Sequence, residues 1–179
     1  MQTKANSPES ASPSETTVRL DGLLDPDRVV CDVYARSKKH ALDLLSETLS
    51  NGEQPLQKLK VFDCLVSRER LGSTAIGSAV AIPHARIDQI PGLRAAFIRL
   101  AQPVPFDAAD GQPVKYLFGL LVPPGDEDTH LRLLSTIARM LAQDLFRKSL
   151  ENAPDAEALY EMLIEFDPEG NGDDAPDHR

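Results

Sequence analysis

Cysteine is scarce: the 179 residues hold only Cys31 and Cys64, which form no CxxC motif. Two such cysteines suit a reducing compartment. No apolar run approaches the length a membrane-spanning helix needs, so membrane insertion is not expected. The opening stretch MQTKANSPESASPSETT lacks the apolar middle of a secretory signal, which makes the cytoplasm the expected location. Basic residues are in no excess. Of 28 acids, ten fall after residue 150, against one of 19 bases, so residues 1–150 are neutral. A neutral body without a basic stripe argues against nucleic acid, whose binding rests on neutralising phosphates.

Several catalytic signatures are missing as well. Gly72-Ser73-Thr74-Ala75-Ile76-Gly77 has the glycine spacing of a phosphate loop, but Ser78 stands where that motif needs lysine. There is no GxSxG nucleophile elbow, and no GxGxxG follows a strand pattern. Hydrolysis by a Ser-His-Asp triad and a dinucleotide site are therefore unsupported.

What is present is an ordinary globular balance, 41% hydrophobic and 26% charged, at a length that favours one domain. Residues 1–16 and 168–179 are too polar to order themselves, and read as a disordered extension and an acidic disordered tail. Between them, Val29–Ala35 reads as extended, and Ser37 is a good N-cap for a helix with Ala41, Leu42, Leu45 and Leu49 inward. Arg36, Lys38 and Lys39 crowd that helix start, where positive charge is disfavoured. They are either a solvated end or a docking patch for an acidic partner.

Pro55 suits the first turn of a second helix that buries Leu56, Leu59, Phe62, Leu65 and Val66 and ends at Gly72. Ala79–Ile82 is predicted as a strand halted by Pro83, and Ala95–Leu100 and Tyr116–Val122 as further strands. Asp128 or Thr129 is the expected cap of a helix carrying Leu133, Leu134, Ile137, Ala138 and Leu141. A last helix is expected near Asp155–Phe166. The interleaving predicts a single-domain α/β sandwich, one mixed β-sheet with α-helices on both faces.

Histidine carries the chemical signal. His178 lies in the acidic tail and His40 on a helix that already has its apolar stripe, so both are expected to be solvated. Ala79-Val80-Ala81-Ile82-Pro83 delivers His84 to the end of a buried strand, where sites assemble in α/β sheets. His130 follows another buried strand, at a helix start. The two are either unrelated polar ends or one shared site. If they meet, neutral His84 can attack phosphorus through one ring nitrogen while the other donates to a carbonyl. His130, biased to its neutral form by the helix N-terminus, can donate to a phosphoryl oxygen. Arg68 is a candidate charge partner, or simply a surface arginine. Alternatively, His84, His130 and Asp128 offer three ligands for a catalytic zinc and a metal-dependent hydrolase.

The segments SKKHALDLLSETL, SRERLGSTAIGSAVAIPHARI, PVPFDAADGQPVKYLFGLLVP and THLRLLSTIARML resemble, in order, the mannitol/fructose/nitrogen-type IIA family of the phosphotransferase system. The resemblance is closest to the nitrogen-regulatory branch and implies a type-2 IIA domain over residues 17–167. It implies a phosphocarrier that accepts a phosphoryl group on the ε2 nitrogen of His84 from an HPr-like histidine carrier. His130 and Arg68 fall on the family's second histidine and its arginine, and Ser73 and Thr74 on its GST turn, which contributes hydrogen bonds near the phosphoryl group. No cofactor and no metal are implied. Ala85 departs from the Gly often found after the histidine in nitrogen-type members. Without a IIB or IIC segment, the expected output is regulation of nitrogen- or potassium-linked target proteins. The alternative is a sugar-specific IIA component passing phosphate to a separate IIB partner.

Overall fold

A computed structural model describes residues 19–125 and 127–167. The predicted tails, 1–16 and 168–179, lie outside the described residues. The elements run in chain order as β1 (Leu24–Val33), α1 (Lys38–Ser50), α2 (Lys58–Arg70), β2 (Ala75–Gly77), β3 (Val80–Ala81), β4 (His84–Arg86), β5 (Arg94–Val104), β6 (Val114–Val122), α3 (Glu127–Ala142), α4 (Asp144–Asn152) and α5 (Ala156–Glu165). The strands form one mixed sheet in the order β1-β5-β6-β3-β2, with β4 also on β6. β1 is parallel to β5, β5 antiparallel to β6, and β6 parallel to both β3 and β4. None of the described helices is long and apolar enough to cross a membrane.

Side-chain alternation on the central strands sorts two cores onto the two faces. Tyr116, Phe118, Leu120 and Val122 of β6 and Phe97 of β5 pack with Leu133 and Ile137 of α3, Leu150 of α4 and Leu159 and Leu163 of α5. Leu117 and Leu121, with Ala96, Ile98 and Leu100, pack with Ala41, Leu42, Leu45 and Leu49 of α1 and Val61 and Leu65 of α2. This is the α/β sandwich that the interleaved pattern predicts. Gly119 sits where α1 comes nearest the sheet: a Cβ there would lie 2.7 Å from Leu45 Cδ1.

Ser37 caps α1 as expected, its hydroxyl accepting from His40 N–H at 3.2 Å. Asp155 caps α5 in the same way, through Ala158 N–H at 2.9 Å. Other boundaries differ from expectation for local reasons. β1 starts at Leu24 rather than Val29, because a register shift between Leu24 and Val29 absorbs the Pro26 segment. Pro55 lies ahead of α2, which begins at Lys58, and Leu59 is 75% exposed rather than buried. Asp128 and Thr129 fall inside the first turn of α3, not at its cap. The sequence reading assigned no helix to the segment of α4, although Phe146 and Leu150, four residues apart, share the face that packs on the core.

Arginines on the sheet close the ends of two helices. Arg99 reaches down one face to the carbonyls of Leu150 (2.7 Å) and Ala153 (2.8 Å) while its other edge holds Asp32. Arg94 reaches the other face, bonding the carbonyls of Leu49 (3.2 Å) and Gln54 (2.7 Å) beyond α1. The last carbonyls of a helix lack partners and carry partial negative charge, so a buried guanidinium both satisfies and neutralises them.

Candidate functional site

The site grows out of an interrupted strand. Val80 and Ala81 face Tyr116 and Leu117, and after the break at Ile82-Pro83, His84 faces Leu120 in unchanged register. β3 and β4 are thus one line of strand; Pro83, which has no N–H, interrupts it without shifting it. His84 therefore opens β4 rather than following the end of a strand. On the far side, β2 begins at Ala75, opposite Ala81, so the sheet edge stops one residue short of Ile82. A pocket of about 700 Å³ opens there, lined by Asp63, Cys64, Ser67, Arg68 and Leu71 of the α2 segment, His84, Ala85 and Arg86 of β4, and His130 of α3.

His84 is half-buried, and both of its ring nitrogens are engaged. Nδ1 lies 2.9 Å from the Ile82 carbonyl, and Arg68 Nε donates to Nε2 across 3.2 Å. A carbonyl can only accept and a guanidinium only donate, so Nδ1 carries the hydrogen and Nε2 presents its lone pair to the pocket. Arg68 is itself braced by Nη1 donating to the Gly72 carbonyl at 3.0 Å. Burial is the main force lowering the pKa of His84; the Ile82 carbonyl opposes it and the Arg68 charge adds to it. The net direction is down, so the ring is neutral at neutral pH.

His130 comes from the first turns of α3, with its ring centroid 5.4 Å from that of His84 and the planes 70° apart. Burial foremost, then His84 and Arg86, lowers its pKa. The direction is the expected one, but burial rather than the helix N-terminus leads it. Its Nε2 is buried and has no hydrogen-bond partner. An unpaired buried imidazole nitrogen costs about 1–3 kcal/mol, so this orphan is a cost the fold carries at the pocket.

The structure brings His84, His130 and Arg68 together and leaves Ser73 and Thr74 out. Neither lines the pocket. Ser73 Oγ donates to the Phe106 carbonyl at 2.6 Å, and Thr74 is buried against the Glu69 carboxylate, to which it gives its N–H and its hydroxyl. Of the basic residues at the start of α1, Arg36 and Lys39 are exposed, as a solvated end would be, while Lys38 is partly buried with its Nζ 2.7 Å from Glu69 and 3.1 Å from Asp107. His40 is used locally, its Nδ1 accepting from Arg36 N–H. The zinc arrangement is not assembled; among the described residues no three His, Cys, Asp or Glu side chains form a metal-ligand group. A guanidinium facing His84 Nε2 is also the wrong charge for a cation site.

Sequence reasoning did not single out Arg86, Cys64, Asp63 or Ser67. A signal was available for Arg86: residues two apart on a strand share a face, which puts Arg86 beside His84. Asp63, Ser67 and Leu71 recur every four residues along one side of α2, the side away from the Leu65 core contact.

The family described as phosphoenolpyruvate-dependent sugar phosphotransferase system, EIIA 2, matches residues 22–166. The chain belongs to that family. Within it, this EIIA 2 chain is 39% identical over 164 residues to the nitrogen regulatory protein of Escherichia coli, covering 90% of this chain and 98% of that one. It is 40% identical over 148 residues to the nitrogen regulatory protein of Pseudomonas aeruginosa, covering 83% and 96%. The crystal structure of nitrogen regulatory protein IIA-Ntr from Neisseria meningitidis superposes with a TM-score of 0.76 at 39% identity, covering 80% of this EIIA 2 chain and 98% of that one.

Proposed function

We propose that this chain is a phosphocarrier that accepts a phosphoryl group on Nε2 of His84 from an HPr-like histidine carrier, and that its phosphorylation state governs binding to regulatory targets. The observation that carries the reading is the tautomer: Nδ1–H rests on the Ile82 carbonyl, and the Nε2 lone pair faces the pocket beside Arg68. In the transfer, the P–N bond of the donor phosphohistidine breaks as the P–Nε2 bond forms on His84. No proton leaves His84 during attack, because the attacking nitrogen is already bare; Nδ1 keeps its hydrogen on the carbonyl, which eases the positive charge the ring develops.

Once phosphorus occupies Nε2, the Arg68 N–H that bonded the lone pair is freed for a phosphoryl oxygen, a charge-assisted contact. His130 Nε2, orphaned before transfer, gains a phosphoryl oxygen as its partner. Positioning and fixed donors thus do the work. A phosphoryl group brings about −1.5 to −2 charge to a pocket rimmed by the exposed Leu71 and by Arg86, enough to change what docks there. Likeness to nitrogen regulatory proteins supports nitrogen-linked targets over sugar uptake.

The test is acid-labile labelling by enzyme I plus carrier. His84→Ala should take no label while keeping its fold, and phosphorus NMR should place the group on Nε2. Full-rate labelling of His84→Ala would refute the assignment. Rapid onward transfer to isolated IIB domains would instead favour the sugar-specific output.

A further inference from the structure

The geometry points to Glu69 as a positioning residue that sets the tautomer of His84 without touching it, an inference that rests on the reading of His84 as phosphoryl acceptor. Strands β2 and β3 are antiparallel, with Ala75 opposite Ala81. One step further along, Thr74 stands opposite Ile82, and Ile82 N–H donates to the Thr74 carbonyl at 2.9 Å. In an antiparallel ladder a pair bonded in this way exchanges two hydrogen bonds, so Thr74 N–H should return to the Ile82 carbonyl. It does not. Thr74 N–H goes to the Glu69 carboxylate at 3.1 and 3.2 Å, and the Ile82 carbonyl takes His84 Nδ1 at 2.9 Å.

The half-broken pair has an identifiable cause. Glu69, whose side chain is only 5% exposed, follows Arg68 at the end of α2 and is neutralised by Lys38 at 2.7 Å. It grips Thr74 twice, since the hydroxyl donates to the same carboxylate at 2.5 Å. A carboxylate outcompetes a neutral carbonyl for an N–H because the charge-assisted bond is stronger. By removing Thr74 from the ladder, Glu69 reserves the Ile82 carbonyl for the imidazole. That carbonyl can only accept, so the hydrogen of His84 is held on Nδ1 and Nε2 is left bare. The buried cluster of Lys38, Glu69 and Thr74, which lies behind the pocket and lines none of it, thereby acts on the nucleophile.

The test reads hydrogen bonds and tautomer directly. In the wild-type protein, through-bond NMR couplings should connect Thr74 N–H to the Glu69 side-chain carbon and not to the Ile82 carbonyl; the reverse pattern overturns the proposal without any variant. Nitrogen-15 spectra of the His84 ring should show one Nδ1–H tautomer in the wild type and a mixture in Glu69→Ala, where Thr74 can reclaim Ile82. Phosphoryl acceptance should fall by up to about tenfold, the weight of one hydrogen bond. Glu69→Gln keeps an acceptor for Thr74 N–H and should largely restore both tautomer and rate, which a merely structural loss would not explain. A wild-type protein that accepts phosphoryl, beside a Glu69→Ala variant with unchanged tautomer and rate, sinks the positioning role alone. A tautomer shift in a protein that no carrier phosphorylates leaves the role of Glu69 standing and sinks the phosphocarrier reading.

Discussion

Replacing His130 by Leu should make the protein more stable and a worse phosphoryl acceptor. In the unphosphorylated fold His130 Nε2 is buried with no partner, while the ring itself is kept neutral by burial, His84 and Arg86. Leaving one buried polar atom unsatisfied costs about 1–3 kcal/mol. Leu is close in volume and removes the orphan, so the net gain should be about 1–2 kcal/mol after some loss of packing against His84. For a chain of this size that is a rise in melting temperature of about 2–6 °C. Loss of the donor to a phosphoryl oxygen in the transition state should slow acceptance by about 10²–10³.

Urea titration at pH 7.5 gives the first quantity, with an unchanged m-value confirming that compactness is preserved. Time courses of acid-labile label from phosphorylated carrier give the second. Phosphorylation should itself raise the melting temperature of the wild type more than that of His130→Leu, because only the wild type has an orphan for the phosphoryl group to satisfy. A variant that is destabilised and yet transfers at the wild-type rate would show that His130 is a packing residue.

Lys38→Met leaves the Glu69 carboxylate buried without its cation, and denaturant unfolding should show a loss of about 3 kcal/mol; a loss below 1 would mean that the pair is not a buried one in practice. Gly119→Ala drives a Cβ to 2.7 Å from Leu45 in a filled core and should cost about 1–3 kcal/mol in the same assay. For His84 and His130 the folded pKa lies below the ordinary 6.5, so the unfolded chain binds more protons between the folded and unfolded values. Stability should therefore be full above pH 6.5 and fall as the pH drops through the folded values, with a smaller fall in His130→Leu, which lacks one of the two groups. The same depression predicts that the acid limb of phosphoryl acceptance has its midpoint below 6.5, and a midpoint at or above 6.5 would contradict it.

Periodicity made α1, α3, α5 and the central strand legible, and α4 escaped it. Ser37 before Ala41, Leu42, Leu45 and Leu49, and Asp155 before Leu159 and Leu163, carry their caps and their buried faces within a few residues. The apolar run Tyr116–Val122 signalled burial on both faces, and the two cores supply it. What stayed hidden depends on pairings between distant segments. Arg99 reads as a charge in a strand, and nothing local says that it will close a helix end about 50 residues later. Lys38 read as a crowded helix start because its partner, Glu69, sits a helix away. Ser73 and Thr74 are expected near the phosphoryl group only through the resemblance to the family's GST turn, and the edge of the sheet turns Thr74 toward Glu69 and Ser73 toward Phe106. For the histidines, sequence spacing leaned to separate ends over a shared site, and the constant register across Pro83 is the feature that carries His84 to the edge facing α3.

The contrast between body and pocket has a physical logic. Along the sheet, polar groups find full sets of partners: Arg99 bonds three carbonyls and a carboxylate, and Tyr116 and Lys115 share the two oxygens of Glu151. At the pocket the same accounting is left open by design of the edge. His130 Nε2 has nothing, Arg68 gives a charged N–H to a neutral imidazole lone pair, and Arg86 is held by a single exposed contact with Glu127 at 3.0 Å. Each is a donor or cation working below its capacity, and each lies on a wall of one cavity. An anionic group on His84 Nε2, as the proposed phosphocarrier role supplies, would suit this set of donors and cations, whereas a cation would meet the charges of Arg68 and Arg86. On the proposed reading of His84 as phosphoryl acceptor, the orphaned His130 Nε2 is the place where the fold trades stability for a donor to that group.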